Sequence, residues 1–168
     1  MSLTMHSASA PVFSRILGNM LAWLDKAEAH AKARKFDPNN YLGLRLAPDM
    51  LPFARQIQIA SDAVKGCMAR LAGQEPPKWA DDEVTLADLR GRIQKTIDYV
   101  ASFQPAQIDG SEDREIQLVK RNVDVLRFQG EEYLKHNAMP NFYFHVTTLY
   151  ALLRQAGVAV GKGDYLGA

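Results

Sequence analysis

One histidine of this chain sits where it could do chemistry. His145 falls in the segment Asn141–Gly157, which opens behind Pro140, ends at a glycine and reads at helical period. It shares an apolar stripe with Phe142, Val146, Leu149, Leu152, Leu153 and Ala156. An imidazole on such a stripe is a metal ligand, a proton carrier, or a polar core group held by hydrogen bonds. The other histidines read as surface residues: His6 precedes the first helix, His30 stands among charged residues, and His136 lies between Lys135 and Asn137. Stronger chemical signatures are missing. There is no cysteine pair, no His-Glu-x-x-His and no phosphate-cradling glycine motif. Ser61 and Ser102 have no histidine at a readable spacing.

Four helical patterns must position that imidazole. The first runs from about Ala10 to Arg34, with Phe13, Ile16, Leu17, Met20, Leu24, Ala27 and Ala31 on one face. The second follows Pro48 with Asp49 as its expected N-cap, and carries Phe53, Ile57, Ala60, Val64, Cys67 and Leu71 to a stop at Gly73. After Pro76-Pro77, Trp79 is expected to anchor the loop on the core. Thr85 and Asp88 form a capping box with Asp in place of Glu. The third helix then carries Leu86, Leu89, Ile93, Ile97 and Val100 to Phe103. A change of period follows: Ile116 and Leu118 alternate with Gln117, and Val123, Val125, Leu126 and Phe128 come after Lys120-Arg121-Asn122. This predicts a short β-hairpin. Gly130 starts a helical turn through Tyr133, ahead of the last helix. The tail beyond Gly157 is rich in glycine and is expected to lie extended on the surface. The fold class that follows is all-α, a four-helix bundle with a short β-hairpin before the last helix.

Composition narrows the function. The 168 residues fit a single domain, 1–168, and 47% apolar with 23% charged residues is an ordinary globular balance. A net charge of +1 without a basic stripe argues against a nucleic-acid partner. No run approaches the length needed to cross a bilayer and no secretory signal is evident, so no membrane partner and a cytoplasmic location are expected. The single Cys67 sits among apolar positions and reads as a buried, inert thiol.

Four stretches carry a resemblance: Arg45-Leu46-Ala47-Pro48-Asp49-Met50, Arg55-Gln56-Ile57-Gln58-Ile59-Ala60, Glu112-Asp113-Arg114-Glu115-Ile116 and Asn141-Phe142-Tyr143-Phe144-His145-Val146-Thr147-Thr148. With the closing Gly161-Lys162-Gly163-Asp164-Tyr165-Leu166-Gly167, the chain resembles an uncharacterised bacterial domain-of-unknown-function family within the DinB-like (YfiT-like) superfamily of metalloenzymes. The resemblance implies a crossover connection in the bundle and a homodimer formed by helix packing. It also implies a metal site of three histidines, two of them four residues apart on the last helix and one on the second. On this chain those positions fall on Asn141, His145 and either Gln56 or Gln58.

At about 100° per residue, Gln56 lies about 70° from the centre of the second helix's stripe and Gln58 about 130° away. Gln56 is the better candidate to face the core. Two amides and one imidazole make a poor set for zinc or nickel, so no tightly held metal or other cofactor is expected. The expected site is a polar pocket of His145, Asn141, Gln56, Thr148 and Tyr143, suited to a small-molecule ligand. The alternative is a metal- or thiol-dependent transferase or hydrolase using that pocket. Tyr143 and Phe144 point off the stripe, and one or both are expected to contact a partner subunit. Asp62, Lys65 and Asp98 read as a solvated face, and Asp113-Arg114-Glu115 as ion pairs tying a loop to the bundle.

Overall fold

The computed structural model describes residues 3–119 and 125–167. Four long helices carry the fold: α1 (Ala10–Arg34), α2 (Phe53–Leu71), α3 (Leu86–Ala101) and α6 (Met139–Gln155). The short elements are a 3₁₀ segment (Pro38–Gly43), α4 (Pro105–Ile108), β1 (Glu115–Leu118), β2 (Leu126–Gln129), α5 (Gly130–Tyr133) and α7 (Lys162–Leu166). Helix α2 packs on α3 and α6, and α1 packs on α3, whereas the consecutive helices α1 and α2 scarcely meet. The chain therefore crosses the bundle between α1 and α2, the crossover topology expected.

The expected stripe of α1 is buried in full, and Trp23 joins it. Phe13 meets Phe142 of α6 edge-on, with ring centroids 5.2 Å apart, at the centre of the core. The α3 cap is the predicted capping box: Thr85 Oγ1 accepts from the Asp88 amide at 3.1 Å while Asp88 accepts from the Thr85 amide at 2.9 Å. β1 and β2 pair antiparallel, with Ile116 opposite Phe128 and Leu118 opposite Leu126. Ile116 and Leu118 turn into the core. The expected turn Lys120-Arg121-Asn122 and Val123 lie outside the described residues. Gly130 is required by packing, because a Cβ there would run into the Ser111 carbonyl oxygen.

Several expectations need correction. Helix α2 starts at Phe53, not Asp49: Pro52 is its N-cap in an extended conformation, and a proline keeps the residue before it out of the helical region. Helix α3 stops at Ala101, two residues short of Phe103. Trp79 is half-buried and caps a cationic rim instead of entering the core. The Nζ atoms of Lys65 and Lys95 lie 4.6 and 4.5 Å from its ring centroid, and Tyr99 meets it edge-on. His30 is half-buried, its Nδ1 2.7 Å from the Tyr41 hydroxyl, rather than a free surface residue.

The tail is not extended throughout, because α7 forms and docks. Tyr165 stacks on Trp23 with centroids 5.5 Å apart, Trp23 Nε1 donates to the Asp164 carbonyl at 3.1 Å, and Lys26 pairs with the Asp164 carboxylate at 2.6 Å. The sparse contact between α1 and α6 leaves a seam, and Tyr165, which also meets Tyr150, covers it.

Helix α6 does not begin independently behind Pro140. Gly130 to Gln155 is one helical run, interrupted by a π-turn at Leu134–Ala138 in which the Met139 amide bonds back to Leu134. Pro140 has no amide hydrogen, and its ring crowds the carbonyl four residues back. A widened turn is a known response to that conflict within a continuous helix.

Candidate functional site

Helices α2 and α6 run side by side and bring two expected site residues together. Gln56 is 1% exposed on the inner face of α2, and His145 is 8% exposed on the facing side of α6. The Gln56 Nε2 amide donates to the Leu51 carbonyl at 2.8 Å, in the loop before α2. That fixes the carboxamide, so Oε1 is the atom that meets His145 Nδ1 at 2.8 Å. Oε1 can only accept, so Nδ1 carries the proton. The neutral ring then has its lone pair on Nε2. Burial holds the imidazole pKa below 6.5, and the nearby Arg55 cation pushes the same way. Nε2 has no hydrogen-bond partner among the described residues, and the residue is 8% exposed.

The remaining expected residues are placed differently. Thr148 is buried beside His145, but its hydroxyl donates to the Phe144 carbonyl at 2.7 Å, one helical turn back. Tyr143 is half-buried and lines an open groove of about 400 Å³ with Leu46, Phe144, Thr147 and Thr148. Asn141 is exposed and lines a separate cavity with Ile59, Asp62 and Ala63. The cause is the antiparallel course of the two helices. One turn back from His145, α6 faces Ile59 and Ala63, one to two turns further along α2 than Gln56. Gln58 is buried but faces α3, accepting from Arg55 at 2.7 Å and donating to Glu83 at 2.7 Å.

This donor set does not fit a three-histidine metal site. The imidazole has given one nitrogen to Gln56, the Gln56 oxygen is occupied by it, and Asn141 opens elsewhere. Among the described residues, no group of three or more His, Cys, Asp or Glu side chains gathers in a way that could hold an ion.

Sequence reasoning missed a larger polar constellation on the other side of α2. Arg92 of α3 is 4% exposed and reaches Glu83 at 2.9 Å, Asp62 at 2.9 Å, Asp81 at 3.2 Å and the Ala80 carbonyl at 2.7 Å. Burial opposes its charge, but Glu83, Asp62 and Asp81 outweigh that and raise its pKa. Lys65, 6% exposed, also pairs with Asp62 at 2.6 Å, so Lys65 is buried and not part of a solvated face, while the Asp62 carboxylate stays partly open to solvent. The Asp98 carboxylate is exposed and accepts from Gln94 on the surface. Arg114 caps the end of α2 through the Leu71 carbonyl, while Glu115 pairs across the hairpin with Arg127. The available signal for Arg92 was its spacing, three residues after Leu89 and beside Ile93 on the stripe of α3. Burial pushes the Cys67 thiol up to about 12, consistent with an inert core thiol.

Residues 5–166 match the model of a domain of unknown function, DUF1993. The chain belongs to this family. A solved relative of this DUF1993 chain is described as a DinB family member protein from Shewanella denitrificans. The two are 42% identical over 97% of this chain and 92% of that one, with a TM-score of 0.89. The curated proteins contain no match. This DUF1993 protein is thus a DinB-like helical bundle, and no helix among its described residues is long and apolar enough to cross a membrane.

Proposed function

We propose that this DUF1993 protein is a non-catalytic or small-ligand-binding homodimer in which the superfamily's metal site has degenerated. The observation that carries the reading is the Gln56–His145 hydrogen bond, which occupies one imidazole nitrogen and the amide oxygen that would replace a second ligand. An amide oxygen competes poorly with imidazole for zinc or nickel. Elemental analysis of protein purified without chelator tests it. The expected result is less than stoichiometric metal, unchanged in His145→Ala. Stoichiometric zinc or nickel lost in that variant overturns it.

The dimer reading draws support from the apolar groove beside the site. Phe144 is 58% exposed and Leu46 38% exposed on its rim. Large exposed apolar side chains grouped in this way favour a protein contact, and a second copy burying α6 would cover them. Sedimentation equilibrium is expected to give a dimer for the wild type and a monomer for Phe144→Glu. A monomeric wild type contradicts this part of the proposal.

A second reading has one observation in its favour. The Nε2 of a neutral His145, without a partner among the described residues, is a usable base, as a thiol-dependent transferase or hydrolase would need, and its neighbour Phe144 lines that groove. Turnover of a thiol co-substrate that vanishes in His145→Gln would establish it over the first.

A further inference from the structure

The cavity that receives Asn141 has a built polar end of its own, away from His145. Arg70, in the last turn of α2, folds its guanidinium back over Gly66, where a Cβ would collide with Nη1. A glycine inside a helix is unfavourable for the helix itself, and here it supplies the seat for a cation. Nη1 donates to the Tyr133 hydroxyl at 3.1 Å, which fixes the head group further. Among the described residues Arg70 has no carboxylate partner, and its remaining N–H groups are free. The Tyr133 hydroxyl accepts from Arg70 and so keeps its own proton to donate.

The π-turn and the first turn of α6 add one donor each. Asn137 lies within the former and Asn141 four residues on, and both line the same cavity of about 240 Å³. Neither carboxamide makes a side-chain hydrogen bond among the described residues. Asp62 also borders the cavity, but its Oδ1 already carries Lys65 and Arg92, which offsets its charge. Ile59, Ala63 and Leu118 supply apolar walls. Four donor-bearing residues line one cavity that also has hydrocarbon walls, and a planar oxyanion matches the fork of an arginine.

We propose that this cavity binds a small monocarboxylate with a short hydrocarbon body. The carboxylate takes its hydrogen bonds from Arg70, Tyr133 and the amides of Asn137 and Asn141, and the hydrocarbon lies against Ile59 and Leu118. The site is independent of His145.

The test is titration of the full-length protein with acetate, propionate and butyrate, following the side-chain amide NMR signals of Asn137 and Asn141. The expected result is saturable movement of both signals, with affinity rising about fourfold per added methylene as apolar surface is covered. Arg70→Gln is expected to abolish the response and His145→Ala to leave it unchanged. Gly66→Ala, which displaces the guanidinium while improving helix propensity, is expected to weaken binding severalfold with Tm unchanged or raised. Unmoved signals, a response that survives Arg70→Gln, or equal affinity for inorganic phosphate would each overturn the proposal.

Discussion

Helix α2 carries a buried polar bridge on each of its two flanks, and they are built on opposite terms. Toward α3, Arg92 sits among three carboxylates and a backbone carbonyl, with Lys65 adding a further cation at Asp62. Toward α6, His145 and Gln56 share one neutral hydrogen bond. A permanent charge removed from water must be matched closely or the helix pair will not form. A neutral imidazole asks for much less, and among the described residues it leaves Nε2 uncommitted. The charged bridge is therefore structural, and the flank with spare bonding capacity is where a ligand can be accommodated.

The sharpest way to break this comparison is Arg92→Met. It leaves the nearly buried Glu83 and the part-exposed Asp62 and Asp81 without their cation, and the expected loss, reduced by solvent at the two aspartates, is about 2–4 kcal/mol in urea unfolding. If Arg92→Met costs no more than His145→Leu, the distinction between the two flanks fails. Gln56→Leu comes next: it strands the Nδ1 proton of His145 and the Leu51 carbonyl, for an expected loss of about 1–3 kcal/mol. Thr85→Ala asks whether the charged flank depends on where α3 begins. Loss of the cap is expected to lower stability by about 1 kcal/mol, with the Arg92 contacts retained, as read by the same unfolding curves.

The smallest effect is in pH. The His145 pKa is lower in the folded protein than its ordinary 6.5, so the unfolded chain takes up the proton first. The stability associated with the neutral ring is complete above 6.5. It declines as pH falls below that value and levels off once the folded pKa is passed. Tm measured from pH 7.5 to 5 should show that decline in the wild type and lack its His145 contribution in His145→Gln. Gln56→Glu sharpens the point, because a carboxylate against Nδ1–H raises the folded pKa and should reduce or reverse the decline.

The long helices were legible because each carries an apolar stripe at one period over many residues. The family resemblance offered Gln56 or Gln58 opposite His145, and the angular position of Gln56 chose between the two. The hairpin was legible from the switch of period at Ile116 and Leu118. What escaped notice depended on contacts distant in sequence. Arg92 looked like an ordinary charge until Asp62, Asp81 and Glu83 came to it from α2 and the loop before α3. Asn141 was expected beside His145, but antiparallel pairing set it against Ile59 and Ala63. Glycine content alone suggested an extended tail, whereas Tyr165 had a stacking partner in Trp23, over 140 residues earlier.

The central claim is that His145 is a neutral imidazole with its proton on Nδ1, held by Gln56 and not by a metal. ¹⁵N NMR of histidine-labelled protein, with zinc and then nickel added to one equivalent, tests it most directly. The prediction is a protonated Nδ1 and an unprotonated Nε2 near pH 7.5, with the Nδ1 signal unmoved by either ion and displaced in Gln56→Leu. A metal-shifted His145 nitrogen at one equivalent, or a proton found on Nε2 in place of Nδ1, would contradict it.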